Sequence, residues 1–209
     1  MKLVVVAGLM TVAMIAGCTN HRDGESGESA AVDTSTAPIA TRWESYRGVW
    51  VPFGDAGPAE AKGVAPTGYR RTPQGAVLAA MQAQPRLALA PDDVWAQIAA
   101  LLIAPGPGRD AYATARVLAS VTGEADPART AQFAGFRIQS WTRDAVTVSL
   151  ATRMPDGKLS AQPTKLVWRG TDWKVELSVP TPVHGSGEDR VPTDPVELQS
   201  LADYTPFAK

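Results

Sequence analysis

The chain has 209 residues, of which 44% are hydrophobic and 20% are charged, a composition typical of a globular protein. Its net charge of −1 leaves no basic excess of the kind that nucleic-acid binding requires, so we expect no nucleic-acid partner. The single cysteine excludes an intramolecular disulfide, and the fold must be stabilised by burial of apolar side chains.

The amino terminus has the pattern of an export signal. Residues 3–16 are almost entirely apolar, a length suited to a signal peptide and short for a membrane span of about 20 residues. The run ends in Ile15-Ala16-Gly17-Cys18, which resembles the bacterial lipobox. The resemblance implies cleavage between Gly17 and Cys18 and a diacylglyceryl group on the Cys18 thiol. Such a lipid would anchor the chain on the extracytoplasmic face of the cell membrane.

After the predicted signal peptide, residues 1–17, composition divides the chain into further segments. Residues 18–42 are rich in small and polar side chains, which predicts a disordered tether. Residues 43–71 combine aromatic residues with Pro and Gly, which predicts an extended arm packed on the domain. The α+β domain is predicted over 72–180 and a tail over 181–209, in which Val196 to Tyr204 is expected to form a short helix.

The first predicted helix has a clear start signal. Thr72 is a good N-cap, and Pro73 suits the first helical position. The alanine-rich residues that follow predict a narrow face of small side chains. Pro85 is expected to end or kink this helix, because proline removes a backbone donor.

Two more helices are expected. Pro-Asp-Asp at 91–93 predicts the start of the second, because acidic side chains are favoured in the first turn, and Gly-Pro-Gly at 106–108 predicts its end. The third is predicted to cover Asp110 to Thr122.

From Phe136 onwards apolar and polar side chains alternate with a period of two, which predicts β-strands. Asp156-Gly157 is typical of a hairpin turn, and Arg169 to Asp172 predicts another. Sequential strands joined by hairpins form an antiparallel sheet. Helices followed by such a meander predict the α+β class, with the helices packed on one apolar face of the sheet.

Residues 168–175 read WRGTDWKV, which resembles the W-x-x-G-D-W-K-V hairpin frequent in nuclear-transport-factor-two-like folds, with Thr171-Asp172 in place of Gly-Asp. The order of elements over Thr72 to Val179 is also similar to that fold, in which a curved antiparallel sheet wraps around helices to form a cone. The resemblance implies a pocket in the cone. Enzymes, ligand carriers and assembly modules share this fold, so it leaves the function open.

A second resemblance covers Gly57-Pro58 and residues 68–80, GYRRTPQGAVLAA. These residues are similar to a family of uncharacterised actinobacterial exported proteins, several of which accompany conjugative or mobile elements. The resemblance implies no known activity. The motif itself is physically a helix start, in which Gly75 and the alanines permit close packing.

Few side chains are suited to catalysis. Neither His21 nor His184 has a second ligand at metal-site spacing, so we expect no metal and no cofactor. Acylation would make Cys18 unavailable as a nucleophile, and the glycines at 106–108 lack the Lys and Ser/Thr of a phosphate-binding loop. Asp110, Tyr112, Asp126 and Asp144 remain as groups near the expected rim or helices, but their spacing is uninformative. We therefore expect no enzymatic activity.

Four tryptophans, Trp95, Trp141, Trp168 and Trp173, lie on helix or strand patterns. They are expected either to pack in the core or to form an aromatic pocket or partner surface. Our interpretation is a membrane-anchored accessory lipoprotein that acts as a protein-interaction module in a cell-envelope or conjugative-transfer assembly, with an unidentified envelope protein as its partner. The alternative is a small-ligand carrier that uses an aromatic pocket in the cone.

Overall fold

The computed structural model describes residues 31–179 and 195–207, and every statement about the fold concerns these residues. The helices are α1 (Pro73–Leu89), α2 (Trp95–Leu102) and α3 (Pro107–Val117). The strands are β1 (Ala40–Tyr46), β2 (Val49–Gly54), β3 (Gln132–Trp141), β4 (Ala145–Arg153), β5 (Leu159–Arg169), β6 (Asp172–Val175), β7 (Val196–Leu198) and β8 (Thr205–Pro206). None of these helices is long and apolar enough to cross a membrane.

The larger sheet is an antiparallel meander in the order β6-β5-β4-β3, extended by β8 at the free edge of β3. One edge of β5 pairs with β4, and its other edge pairs with β7 at the amino end and with β6 at the carboxyl end. β1 and β2 form a separate antiparallel hairpin. The predicted α+β class and antiparallel sheet are therefore confirmed.

Helix α1 lies between the two sheets, because it contacts β2 of the hairpin and β3 to β6 of the larger sheet. The sequence predicted a narrow packing face, but the helix is buried almost all the way round, as expected for a helix covered on two sides. Its alanines let the strands approach closely on both sides. The buried side chains include Ala76, Val77, Leu78, Ala79, Ala80, Met81, Gln82 and Ala83.

A β-bulge in β3 decides the direction of Trp141. Strict alternation would place Trp141 on the opposite face of the sheet from Phe136. The register shifts between Ile138 and Ser140, and this change of phase turns Trp141 to the core side, where it packs against the buried cluster.

Of the two outcomes predicted for Pro85, the end of the helix is excluded, because Pro85 lies inside α1 with buried residues on both sides of it. The prediction for Pro107 is wrong. Pro107 does not end the second helix but is the first residue of α3, a position where its missing N–H costs nothing. The third helix therefore begins before Asp110 and ends at Val117. The second begins at Trp95, after a turn over 91–94.

Residues 31–42 contradict the predicted disordered tether. The Gln74 side chain donates through Nε2 to the carbonyl oxygens of Asp33 and Thr36, each at 3.2 Å, and β1 begins at Ala40. Composition missed this order because backbone carbonyls accept its hydrogen bonds from Gln74, and only two small side chains of the segment, Ala37 and Pro38, pack against the domain. The rest of the predicted tether lies outside the described residues.

Residues 43–71, the predicted arm, contain most of the β1–β2 hairpin and the loop that leads to α1. Val51 and Phe53 are buried, as an arm packed on the domain requires, whereas Trp50 is 47% exposed. Successive side chains of a strand point to opposite faces, and Trp50 points away from the face of β2 that packs on α1, which explains its exposure.

The helix predicted for Val196 to Tyr204 is wrong. Its first residues form β7, because the unpaired edge of β5 offers them backbone hydrogen bonds. The chain then crosses the outer face of the sheet to β8. On this face the hydroxyls of Tyr204 and Ser149 are 3.0 Å apart, and the guanidinium of Arg137 lies 5.4 Å from the centre of the Tyr204 ring.

Candidate functional site

Three of the four predicted tryptophans meet at one end of the larger sheet. The ring centre of Trp173 lies 5.7 Å from that of Trp141 and 5.3 Å from that of Trp168. Trp173 is only 3% exposed, whereas the other two are half-buried. We call Trp141, Trp168 and Trp173 the tryptophan cluster.

The β5–β6 hairpin explains part of this geometry. Trp168 and Trp173 are directly opposite in the register, and Gly170 provides the positive φ of 62° that the turn between them requires. Trp173 is in phase with the buried Val175, which directs its indole into the core. The facing aromatic pair contributes to stability beyond its buried area.

The loop before α1 is fixed to this hairpin by Asp172. Its carboxylate accepts hydrogen bonds from the backbone N–H of Gly68 at 2.8 Å and of Tyr69 at 3.1 Å. The indole Nε1 of Trp173 also donates to the carbonyl of Arg70 at 3.0 Å. The two motifs that carry the sequence resemblances are therefore in direct contact.

Arg71 joins the same loop to the β3–β4 turn. Its Nε donates to the carbonyl of Arg143 at 3.0 Å, and its guanidinium forms an ion pair with Asp144. The guanidinium also lies 5.2 Å from the centre of the Trp168 ring, within the range of a cation–π interaction. Each of these contacts binds or orients a group, and none places a base beside a nucleophile.

A network of polar side chains is buried between α1 and the β1–β2 hairpin. The Arg86 guanidinium donates to the carbonyl of Gln82 at 3.1 Å and to the side-chain oxygen of Gln82, and it stacks 4.3 Å from the centre of the Tyr46 ring. Gln82 in turn donates to the carbonyl of Pro52 at 2.6 Å. The network crosses from the helix to β2, and burial lowers the pKa of Arg86.

Tyr69 lies in the same region, and its buried hydroxyl has no hydrogen-bond partner among the described residues. Burial raises the pKa of Tyr69, and the positive charge of Arg86 opposes this effect in part. The phenol therefore stays protonated at neutral pH. Tyr69 and Arg86 therefore have a structural role, since both side chains are buried in the core.

Two surface grooves lie away from the tryptophan cluster. One, of about 400 Å³, is at the open end of the β3–β4 pair and is lined by Gln132, Phe133, Arg153, Met154 and Phe207. The other, of about 290 Å³, lies between the outer sheet face and the carboxyl-terminal segment and is lined by Arg137, Gln139, Ser149, Pro163, Leu198 and Tyr204. None of the four predicted tryptophans lines either groove.

The fourth predicted tryptophan is elsewhere. Trp95, at the start of α2, packs edge to face on Tyr112 with ring centres 6.3 Å apart, and Arg116 lies 5.7 Å from its ring centre. Arg116 is buried and donates to the carbonyl of Ala90 at 2.7 Å. Trp95 therefore belongs to the α2–α3 packing.

The groups considered for chemistry are dispersed. The Tyr112 hydroxyl donates to the carbonyl of Leu87 at 2.8 Å, Asp126 accepts from the backbone of Ala128, and Asp144 pairs with Arg71. Asp110 is an exposed residue of the first turn of α3. Within the described ranges no three His, Cys, Asp or Glu side chains are grouped as a metal site would require.

Several predicted residues cannot be placed. Gly17, Cys18, His21 and His184 all lie outside the described residues. Sequence reasoning in turn missed the buried polar residues. Gln82 and Arg86 stand four positions apart in an alanine-rich helix, and this i, i+4 spacing of two polar side chains was the available signal.

Fold and site together define an α+β domain in which helices pack on an antiparallel sheet and a tryptophan cluster closes one end. Residues 15–206 match the family described as a domain of unknown function (DUF8175). The match covers most of the chain, so the protein belongs to this family. No curated protein and no solved structure matches the chain.

Proposed function

We propose that the protein is an exported lipoprotein, anchored through Cys18 on the extracytoplasmic face of the membrane, whose domain acts as a protein-interaction module. A cell-envelope or conjugative-transfer assembly is the setting that the sequence resemblances favour. We also propose that the domain is a variant of the nuclear-transport-factor-two-like cone. The helix-then-meander order and the antiparallel sheet support this assignment.

The observation that carries the interaction role is a set of exposed apolar side chains at one end of the domain. Val117 and Leu118, adjacent at the end of α3, are 74% and 85% exposed, and Trp50 on β2 is exposed as well. Single exposed apolar residues are common on monomers, but large side chains on neighbouring segments are typical of a binding surface. We call Trp50, Val117 and Leu118 the apolar end.

Hydrogen bonds bring the segments of the apolar end together. The loop after α3 returns to the β1–β2 turn, where Ala125 N donates to the carbonyl of Arg47 at 3.1 Å. The Gln132 side chain accepts from Trp50 N and donates to the carbonyl of Gly48, each at 2.9 Å. These bonds hold the backbone at Trp50, and Leu118 N donates to the carbonyl of Ala115 at 3.2 Å at the end of α3. A backbone that is held before binding limits the entropy lost on binding.

Packing disfavours a ligand at the predicted tryptophan pocket. The rings of the cluster contact one another, and Trp173 uses its Nε1 on the backbone of Arg70. Buried side chains of α1 fill the space between the two sheets. The contacts that an aromatic pocket would offer a ligand are thus used within the protein.

Photo-crosslinking in native membranes tests the proposed interaction. A photoreactive side chain at Leu118 is expected to give a discrete protein adduct, and the same group at Arg169, on the opposite end of the domain, is the matched control. The substitution Val117→Asp should abolish the Leu118 adduct, because a charge cannot be buried unpaired in an apolar interface. Equal labelling from both positions, or an adduct that persists in Val117→Asp, would contradict the interaction role.

A further inference from the structure

The outer edge of β1 has no neighbouring strand in the part of the chain that the structure describes. β1 pairs with β2 on one side, and no described residue forms a backbone hydrogen bond with its other side. The larger sheet differs, because β8 lies beside β3, β7 lies beside β5, and Ile103 forms a bridge to Val175 of β6. An uncovered strand edge offers its backbone donors and acceptors to another strand.

The hydrogen bonds of β2 show which backbone groups of β1 face outwards. Trp50 N donates to a side chain at the start of β3, and the carbonyl of Pro52 accepts from a side chain of α1, so both groups point away from β1. Ser45 and Trp43 are directly opposite Trp50 and Pro52 in the register. The two pairs are therefore non-hydrogen-bonded pairs of the hairpin, and the N–H and C=O of Trp43 and Ser45 point outwards.

The charges along this edge are complementary to those of a second copy of β1. Arg42 and Glu44 flank Trp43 and share one face of the strand, with side chains 51% and 53% exposed. When two copies of β1 run antiparallel with Trp43 opposite Trp43, Arg42 of each copy lies opposite Glu44 of the other. Directly facing opposite charges stabilise a strand pair, whereas a shift that places Glu44 opposite Glu44 is destabilised by like charges. The charges therefore favour the first register over the shifted one.

The side chains of the edge have contacts left for a second copy. Within one copy, Arg42 Nε donates to one carboxylate oxygen of Glu44 at 2.6 Å. The outer nitrogens of the guanidinium and the second carboxylate oxygen form no other hydrogen bond among the described residues. On the opposite face of β1, the half-buried ring of Trp43 packs edge to face on Phe207, with ring centres 6.4 Å apart. Its exposed part can pack on the same ring of a second copy, since facing aromatic pairs stabilise antiparallel strands.

We propose that the protein forms a symmetric dimer through the outer edges of β1, with Trp43 at the two-fold axis and Arg42 of each copy paired with Glu44 of the other. The two β1–β2 hairpins then form one four-stranded antiparallel sheet, joined by backbone hydrogen bonds between the two Trp43 residues. A two-fold axis uses the same surface on both copies, which is why the alternation of charge along one strand is sufficient. The dimer contact differs from the apolar end proposed for another protein, and it does not depend on the lipid anchor.

Disulfide cross-linking of the purified full-length chain tests the contact and its register. Arg42→Cys and Glu44→Cys, on chains with different tags, are mixed and oxidised. The two thiols face each other in the proposed dimer, whereas two copies of Arg42→Cys hold their Cα atoms about 8 Å apart, beyond disulfide reach. We expect the mixed disulfide to exceed either disulfide between identical chains by about fivefold or more. Arg42→Cys mixed with Asp156→Cys, at the exposed β4–β5 turn, is the matched control, and the oxidised wild type reports any disulfide of Cys18.

Exchange of the charges gives a second test that requires no cysteine. Glu44→Arg places two arginines on each edge and Arg42→Glu places two glutamates there, so each variant alone should dimerise about tenfold more weakly than the wild type. An equimolar mixture of the two variants should regain wild-type affinity, because every arginine then faces a glutamate. Sedimentation of the full-length chain measures the affinity. Glu60→Arg, the same charge change at an exposed residue outside β1, should leave it unchanged.

Each outcome decides the proposal. A dominant mixed disulfide, together with recovery of the dimer in the mixture of charge variants, supports the β1 contact. A dimer that all the charge variants leave unchanged uses another surface and overturns it. A wild-type chain that stays monomeric at every protein concentration also overturns it, and would leave the edge of β1 to a strand of a different protein. The recovery in the mixture cannot come from misfolded variants, so a loss of folding is not mistaken for a loss of contact.

Discussion

The indole of Trp173 donates a hydrogen bond from Nε1 to the backbone carbonyl of Arg70 at 3.0 Å. This contact joins the last hairpin of the sheet to the loop that starts α1. The contact gives the indole N–H of the buried Trp173 a hydrogen-bond acceptor. It also holds in place the carbonyl of Arg70, against which Gly75 packs. A side-chain carbon at Gly75 would lie 2.1 Å from that same oxygen, which explains why glycine stands at this position of the motif.

Trp173 is expected to be the most sensitive position of the cluster. Trp173→Ala removes a buried ring together with its hydrogen bond and should lower the free energy of unfolding by about 3–5 kcal/mol. Trp50→Ala, at a half-exposed ring, is the matched control and should cost much less. Urea unfolding of both variants measures the difference. An equal loss of free energy of unfolding in the two variants would contradict the position of Trp173 in the core.

Alkaline pH should destabilise the fold through Tyr69. Burial raises the pKa of Tyr69 above its usual value of about 10, so at high pH the unfolded chain loses the phenol proton before the folded chain does. The unfolded state then binds fewer protons, and the free energy of unfolding falls as the pH rises above about 10, with no contribution from this group at lower pH.

Tyr69→Phe tests this dependence. The variant should keep its stability at neutral pH, because the hydroxyl has no hydrogen-bond partner in the described part of the chain. Its loss of stability between about pH 8 and about pH 11 should be shallower than that of the wild type. The free energy of unfolding of the variant should still fall somewhat with rising pH, since burial also raises the pKa of Tyr46 and Tyr112. Identical slopes in the two proteins would argue against a buried phenol.

Residues 31–42 should stabilise the domain. A chain beginning at Ala31 keeps the bonds from Gln74 and the whole of β1, whereas one beginning at Trp43 loses those bonds and the first three residues of β1. We expect a lower melting temperature for the shorter chain, by several degrees for a loss of about 1–2 kcal/mol. The same melting temperature for both chains would show that this segment contributes nothing to the fold.

Cys18→Ala tests the lipid anchor in cells. The thiol is the only one in the chain, so its removal should leave an unprocessed precursor that takes up no radiolabelled palmitate. Thr19→Ala, at the adjacent position, should be processed and labelled normally. Normal processing and labelling of Cys18→Ala would exclude the anchor.

Local patterns were sufficient for much of the fold. The N-cap Thr72 accepts from Gly75 N at 3.1 Å as its position predicts, because capping depends on neighbouring residues alone. Alternation and the Asp156-Gly157 turn predicted the antiparallel strands, since a period of two and a tight turn are properties of a short segment. The facing pair of Trp168 and Trp173 follows from the same local register.

Only the tertiary structure could decide which distant segments use each other's hydrogen bonds. The order of residues 31–42 and the strand at Val196 depend on partners far along the chain, and so does the bond of Asp172 to Tyr69. The bulge that turns Trp141 inward depends on how β3 pairs with β4. A backbone donor or a free strand edge binds whatever the fold brings to it, so no local pattern marks these contacts. The sequence by itself determined the helices and the antiparallel strands between Thr72 and Val179, while the meeting of three tryptophans at one end of the sheet arose from how those elements pack.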